Sequence, residues 1–177
     1  MKLGRKSKWL IAIVGLIGGS VVVFARLGHK VVHTELVIPA SPSAVWHVVT
    51  DAAKYPEWNP TIVRVEGAYE LDAVLMNHVR DGSGEEVVMK SRVVAMLENR
   101  ELHQFGGTPG LLTFDHKWIL EPVADGTRVI QHEEYRGLGV WFWDASWVEP
   151  AYQRSLEALS DRVAGLAEES NKAGQLE

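Results

Sequence analysis

The chain has no cysteine, which excludes disulfides, thiolate zinc sites, iron–sulfur clusters and a cysteine nucleophile. Acidic residues are missing from its first 30 positions, where Lys2, Arg5, Lys6, Lys8, Arg26 and Lys30 give a charge of +6. Residues 31–177 carry the other 12 basic residues and all 23 acidic ones, a balance of −11. A body that acidic, without a basic patch, is unsuited to a phosphate backbone, so nucleic acid is not an expected partner. Also absent are a Walker-type loop, a dinucleotide glycine fingerprint, an HExxH helix and a Gly-x-Ser-x-Gly elbow. The histidines lack metal-ligand spacing, so neither metal nor cofactor is expected. What is present is globular in composition, 46% hydrophobic and 23% charged, with a length of 177 residues that suits one domain and a short appendage.

The appendage is residues 1–30. Trp9 to Ala25 reads WLIAIVGLIGGSVVVFA, 17 residues without a charge. That is the short end of the ~17–25 needed to span a bilayer and longer than the ~7–15 of a signal-peptide core. Basic residues ahead of the run hold the N-terminus in the cytoplasm and place the body on the other side. The segment reads as a single-pass, transmembrane-type anchor helix. The alternative is a signal peptide cut near Ala25, where Val23 and Ala25 supply small residues, leaving the body periplasmic or secreted.

The body alternates. Val32, Thr34, Leu36 and Ile38 mark a half-buried strand that Pro39 stops. Ser41-Pro42 is an N-cap with proline at the first helical turn, opening a short helix through Trp46 and Val49. Tyr55-Pro56 and Asn59-Pro60 break the chain around Trp58. Strands are expected at 61–67, 73–80, 86–97, 100–106, 112–121 and 127–136, with turns at Asp81-Gly82-Ser83-Gly84 and Ala124-Asp125-Gly126. Trp147, Ala151, Tyr152, Leu156, Leu159, Val163 and Leu166 then share one face of a long amphipathic helix, and residues 170–177 form a polar, disordered tail. A run of antiparallel strands closed by one helix is an α+β architecture.

The stretch VIPASPSAVWHVVTDAAKYPEWNP, Val37 to Pro60, resembles the START-like or SRPBCC superfamily and its polyketide cyclase/dehydrase-like group. Ile62-Val63-Arg64 with Gly67, His116-x-Trp118-x-Leu120-x-Pro122, Gly126-Thr127 and Glu133-x-Tyr135-x-Gly137 extend the likeness over residues 32–167. The resemblance implies a helix-grip fold over residues 31–169, a curved antiparallel β-sheet wrapped around the C-terminal helix with a ligand cavity between them. One position departs: relatives often have glycine entering the third strand, where this chain has Asp72.

Alternation puts Leu112, Phe114, His116, Trp118 and Leu120 on one sheet face. A hairpin through Val123-Ala124-Asp125-Gly126 then sets Leu120 opposite Val129, Trp118 opposite Gln131, and His116 opposite Glu133, close enough for an ion pair or hydrogen bond. His116 and Glu133 are candidates for acid–base work or for holding a ligand's polar group. Trp58, Met89, Phe114, Trp118, Gln131, Tyr135, Trp141, Phe142 and Tyr152 complete the expected ligand contacts. Val140-Trp141-Phe142-Trp143 is too apolar for an open loop; it either folds over as a lid or dips into a membrane interface, where Trp is favoured. Three functions follow: a membrane-tethered binding or transfer module for a hydrophobic small molecule or lipid, a polyketide cyclase or dehydratase using His116 and Glu133, and a scaffold with a collapsed cavity.

Overall fold

The structure is a computed structural model that describes residues 5–175. Helix α1 runs Arg5–Leu27, and one residue, Gly28, separates it from strand β1, His29–Ile38. The sheet thus begins earlier than the expected Val32. A Cβ on Gly28 would sit 2.0 Å from the Gly137 carbonyl oxygen, so any side chain there would prise the helix junction off the sheet.

Ser41 caps helix α2, Pro42–Thr50, its hydroxyl accepting from the Ala44 N–H at 3.3 Å. A 3₁₀ turn at Ala52–Lys54 leads into α3, Tyr55–Trp58. Asn59 then turns the chain, its Oδ1 accepting from the N–H groups of Thr61 and Ile62 at 2.9 and 2.8 Å. Beyond it come β2, Ile62–Glu66, β3, Val74–Arg80, β4, Glu86–Leu97, β5, Glu101–Thr108, β6, Leu112–Val123, and β7, Gly126–Arg136. Asp72, the departure noted above, adopts φ +65° and donates its N–H to the Val93 carbonyl at 2.9 Å; an aspartate here takes the left-handed conformation that favours glycine.

The seven strands form one antiparallel sheet in the order β1-β7-β6-β5-β4-β3-β2. The sheet curls around α4, Val148–Gly174, which is the expected helix-grip arrangement. α4 buries Val148, Ala151, Tyr152, Ser155, Leu156, Leu159 and Val163. Each fully buried leucine or valine here contributes about 1.5–3 kcal/mol over exposure. The helix continues through residues 170–174, expected as a disordered tail, and the last two residues lie outside those described.

Packing divides the concave face into two halves. One cluster gathers α2, Tyr55, Trp58, Leu102, Trp118, Leu120 and Val129 around Leu156, Leu159 and Val163. The other gathers Val32, Phe114, Tyr135 and Val140 around Val148 and Tyr152. Among the described residues no helix is long and apolar enough to cross a membrane, so the fold does not support the expected transmembrane element. α1 nonetheless leaves Ile11, Leu16, Ile17, Val22 and Phe24 exposed.

Candidate functional site

The second half of the concave face is not filled. Between β3, β4, β5, β6, β7 and the first turns of α4 lies a cavity of about 230 Å³. Val79, Val87, Met89, Leu112 and Phe114 line it from the sheet, and Trp143 and Trp147 close it from the loop and helix side. Trp147 packs against Gly82 in the β3–β4 turn, where a Cβ would lie within 2.7 Å of the indole. Trp143 stacks edge-on against Tyr135 with ring centroids 4.5 Å apart.

One side of the cavity is polar. Asn77 on β3, Gln104 on β5, His116 on β6 and Glu133 on β7 face it, all at least 95% buried. Asn77 Nδ2 donates to Ser91 Oγ at 2.8 Å, and that hydroxyl donates to Gln104 Oε1 at 2.9 Å. His116 and Glu133 are cross-strand partners, in the register the hairpin predicts. They do not bond to each other as expected. Glu133 instead accepts from the hydroxyls of Tyr135 and Tyr152, both on Oε2, while the Nε2 of His116 is buried without a partner. The carboxyl is turned towards two phenols, one of them on α4, and the imidazole ring lies against Tyr152 at a centroid distance of 5.5 Å.

Burial governs how both groups titrate. It pushes Glu133 up to about 7 against the opposing pull of the Tyr135 and Tyr152 hydroxyls, with nearby Asp115 adding to the rise. It pushes His116 down to about 4, helped by repulsion from His103 and His132. At neutral pH the imidazole is therefore uncharged and the carboxyl is divided between its acid and its anion.

Of the residues expected to contact a ligand, Met89, Phe114, His116, Glu133, Tyr135 and Tyr152 line the cavity. Trp118 and Gln131 do not. They share the concave face, but two residues further along β6 and two back along β7, where the packed half of the interior covers them. Trp58 is also core, against Tyr55 at 4.9 Å, because the Asn59-Pro60 corner tucks it beneath α4. Trp141 and Phe142 face away from the cavity. The Trp141 indole N–H donates to the Phe24 carbonyl at 2.9 Å, and Phe142 is 84% exposed. Only Trp143 of that run acts as a lid. Asn77 and Gln104 were missed, although Asn77 alternates with Leu75 and Val79 on an apolar face, which is the signal of a buried polar group.

A sheet curled around one C-terminal helix, with this cavity between them, is a scaffold that can be compared. Residues 29–164 match the family described as polyketide cyclase/dehydrase and lipid transport. The chain belongs to that family. Among solved structures of similar fold is an aromatase/cyclase, ZhuI, from Streptomyces sp. R1128, at a TM-score of 0.62 and 17% identity, covering 77% of this chain and 94% of that one. A protein from Rhodobacter sphaeroides aligns at 0.64 and 15%, over 77% and 93% of the two chains. One from Chromobacterium violaceum aligns at 0.62 and 14%, over 76% and 97%. Identities this low establish a shared fold, and a fold hosts many functions. No curated protein matches the chain.

Proposed function

We propose that this member of the polyketide cyclase/dehydrase and lipid transport family is a membrane-attached module that binds or transfers a small, mostly apolar molecule. The carrying observation is the cavity between sheet and α4, apolar except for one buried polar side. Its volume of about 230 Å³ lies below the ~300–1,000 Å³ usual for ligand sites, which favours a compact ligand over a whole phospholipid. Native mass spectrometry of the full chain, released from membranes in non-ionic detergent, tests this reading. The expected result is a retained small molecule. A chain that carries nothing and takes up no apolar probe would leave the scaffold reading.

Membrane attachment is supported by the exposed apolar face of α1 and by Trp141 and Phe142, which extend that face onto the domain. We read the basic residues before Trp9 as placing the domain on the non-cytoplasmic side, which requires α1 to insert although it falls short of a spanning helix. A reporter fused after Glu177 should be active only there, and cytoplasmic activity would overturn the assignment. The lack of cysteine permits a second test. A polarity-sensitive dye on Phe142→Cys in liposome-reconstituted protein should shift to the blue and be quenched by lipid-borne quenchers, with Tm nearly unchanged. The same dye on Phe105→Cys, a sheet position 38% exposed, should report water.

A second reading, acid–base chemistry on a polyketide-like substrate, is favoured by the burial of Glu133 in the cavity wall, which pushes its carboxyl up to about 7, where a general acid or base works best. It predicts that Glu133→Gln lowers turnover by about 10²–10⁴-fold with little change in affinity.

A further inference from the structure

The polar side of the cavity has a chemical sense of its own. Asn77 Oδ1 and His116 Nε2 are buried without partners and have almost no accessible surface. Glu133 Oε1 takes neither of the two phenol hydrogens, because both go to Oε2. Glu133 Oε1 is therefore the acceptor left open in a cavity that Phe114, Tyr135, Trp143, Trp147 and Tyr152 wall with aromatic rings. No Lys or Arg lines it, and its ionisable carboxyls are Glu133 and Asp81 at the rim. Lys30, the basic residue that reaches the lid, donates to the Trp143 carbonyl at 2.9 Å.

We propose that the molecule this cavity takes is a protonated amine on a compact apolar body, its ammonium paired with Glu133 and its body stacked among the five aromatic rings. This rests on the binding function above and names its ligand class. The alternatives fit less well. A carboxylate would face Glu133 and Asp81 with no counter-charge. An alcohol brings no charge to pair with the carboxylate and draws nothing from the ring faces. An ammonium offers up to three hydrogens, pairs with the carboxylate, and is attracted by the electron-rich faces of Trp and Tyr.

The groups around Glu133 fix how pH enters. His116 from β6, Tyr135 from β7 itself and Tyr152 from α4 surround it, its partner on β1 is Val32, and Asp115 adds repulsion from β6. None of these is a cation at neutral pH, so the ammonium would be the counter-ion the carboxylate lacks. Since burial holds Glu133 at about 7, acidification from pH 8 to pH 6 protonates it and should weaken amine binding by about tenfold.

The test uses three probes with one body: 2-(2-naphthyl)ethylamine, 2-(2-naphthyl)ethanol and 2-naphthylacetate. Binding is measured by calorimetry to the full chain in non-ionic detergent at pH 6 and pH 8. The expected result is that the amine binds at least about tenfold more tightly than the alcohol at pH 8 and loses that margin at pH 6, while the carboxylate does not bind. Glu133→Gln should abolish the preference and the pH dependence, so that amine and alcohol bind this variant equally. If that variant does not fold, the wild-type pH profile decides alone. An alcohol bound as tightly as the amine at pH 8, or a bound carboxylate, overturns the amine assignment and leaves the binding function standing. Failure of all three probes overturns both.

Discussion

Relative to the wild type, Glu133→Gln is expected to gain about 3 kcal/mol of stability as pH rises from 4.5 to 7, and His116→Asn to lose about as much as pH rises from 4 to 6.5. The folded protein raises Glu133 from 4.5 to about 7. Between those values the native state holds a proton that the unfolded chain has released, so this group's contribution is complete below 4.5 and is lost as pH climbs through about 7. His116 runs the other way, lowered from 6.5 to about 4. Its contribution is complete above 6.5 and is lost as pH falls through about 4. Each displacement corresponds to ~3 kcal/mol. Between 4.5 and 6.5 the two opposite slopes nearly cancel in the wild type, and either substitution exposes the other. Urea unfolding of the three proteins across pH 4–8 checks this. Variants whose curves run parallel to the wild type would show that neither group changes its titration on folding.

Trp118→Ala should destabilise the protein by about 3–5 kcal/mol, the range for removing a large buried aromatic. Trp118 is fully buried, paired across the ladders with Leu102 on β5 and Gln131 on β7. Few neighbours can collapse into the space an indole leaves, because strands on both sides fix the backbone. Val87→Ala, at a cavity-lining position 41% exposed, should cost less than about 1 kcal/mol. Thermal unfolding separates the cases. A Trp118→Ala protein that kept its stability and lost a ligand would return this residue to the cavity.

That contrast marks where sequence reading stops. Alternation and one turn were enough to place His116 opposite Glu133, because a two-residue period and a tight hairpin leave one register that keeps Leu120 and Val129 inside. The same alternation put Trp118 and Gln131 on the concave face correctly and still misassigned them. Which part of a concave face is packed depends on where α2 and α4 cross it, and that is a tertiary fact with no local signature. The hydrogen bonding of Glu133 was hidden for the same reason: Tyr152 reaches it from another element, 19 residues on. The tryptophans of the aromatic run divide between α1 and the cavity, because Gly137 and the 3₁₀ turn at Leu138–Trp141 rotate successive side chains apart. Leu102 and Gln104 both point inward in the folded protein.

The sheet order carries a consequence for how the chain acquires this shape. β1 has a single neighbour, β7, and the paired residues lie between 89 positions apart, Ile38 with Thr127, and 107 apart, His29 with Arg136. A growing chain therefore exposes an unpaired strand, with the inward-facing Val32 and Ile38, until nearly all of the domain has been made. Hairpins from β2 to β7 can form in succession from near neighbours, but the last ladder must close a loop of about a hundred residues, which places its formation late and the overall rate towards the slow end for domains of this size. A chain interrupted before Gly126 leaves both edges of β1 unpaired, where the finished sheet leaves one, the kind of surface through which unfinished sheets join one another.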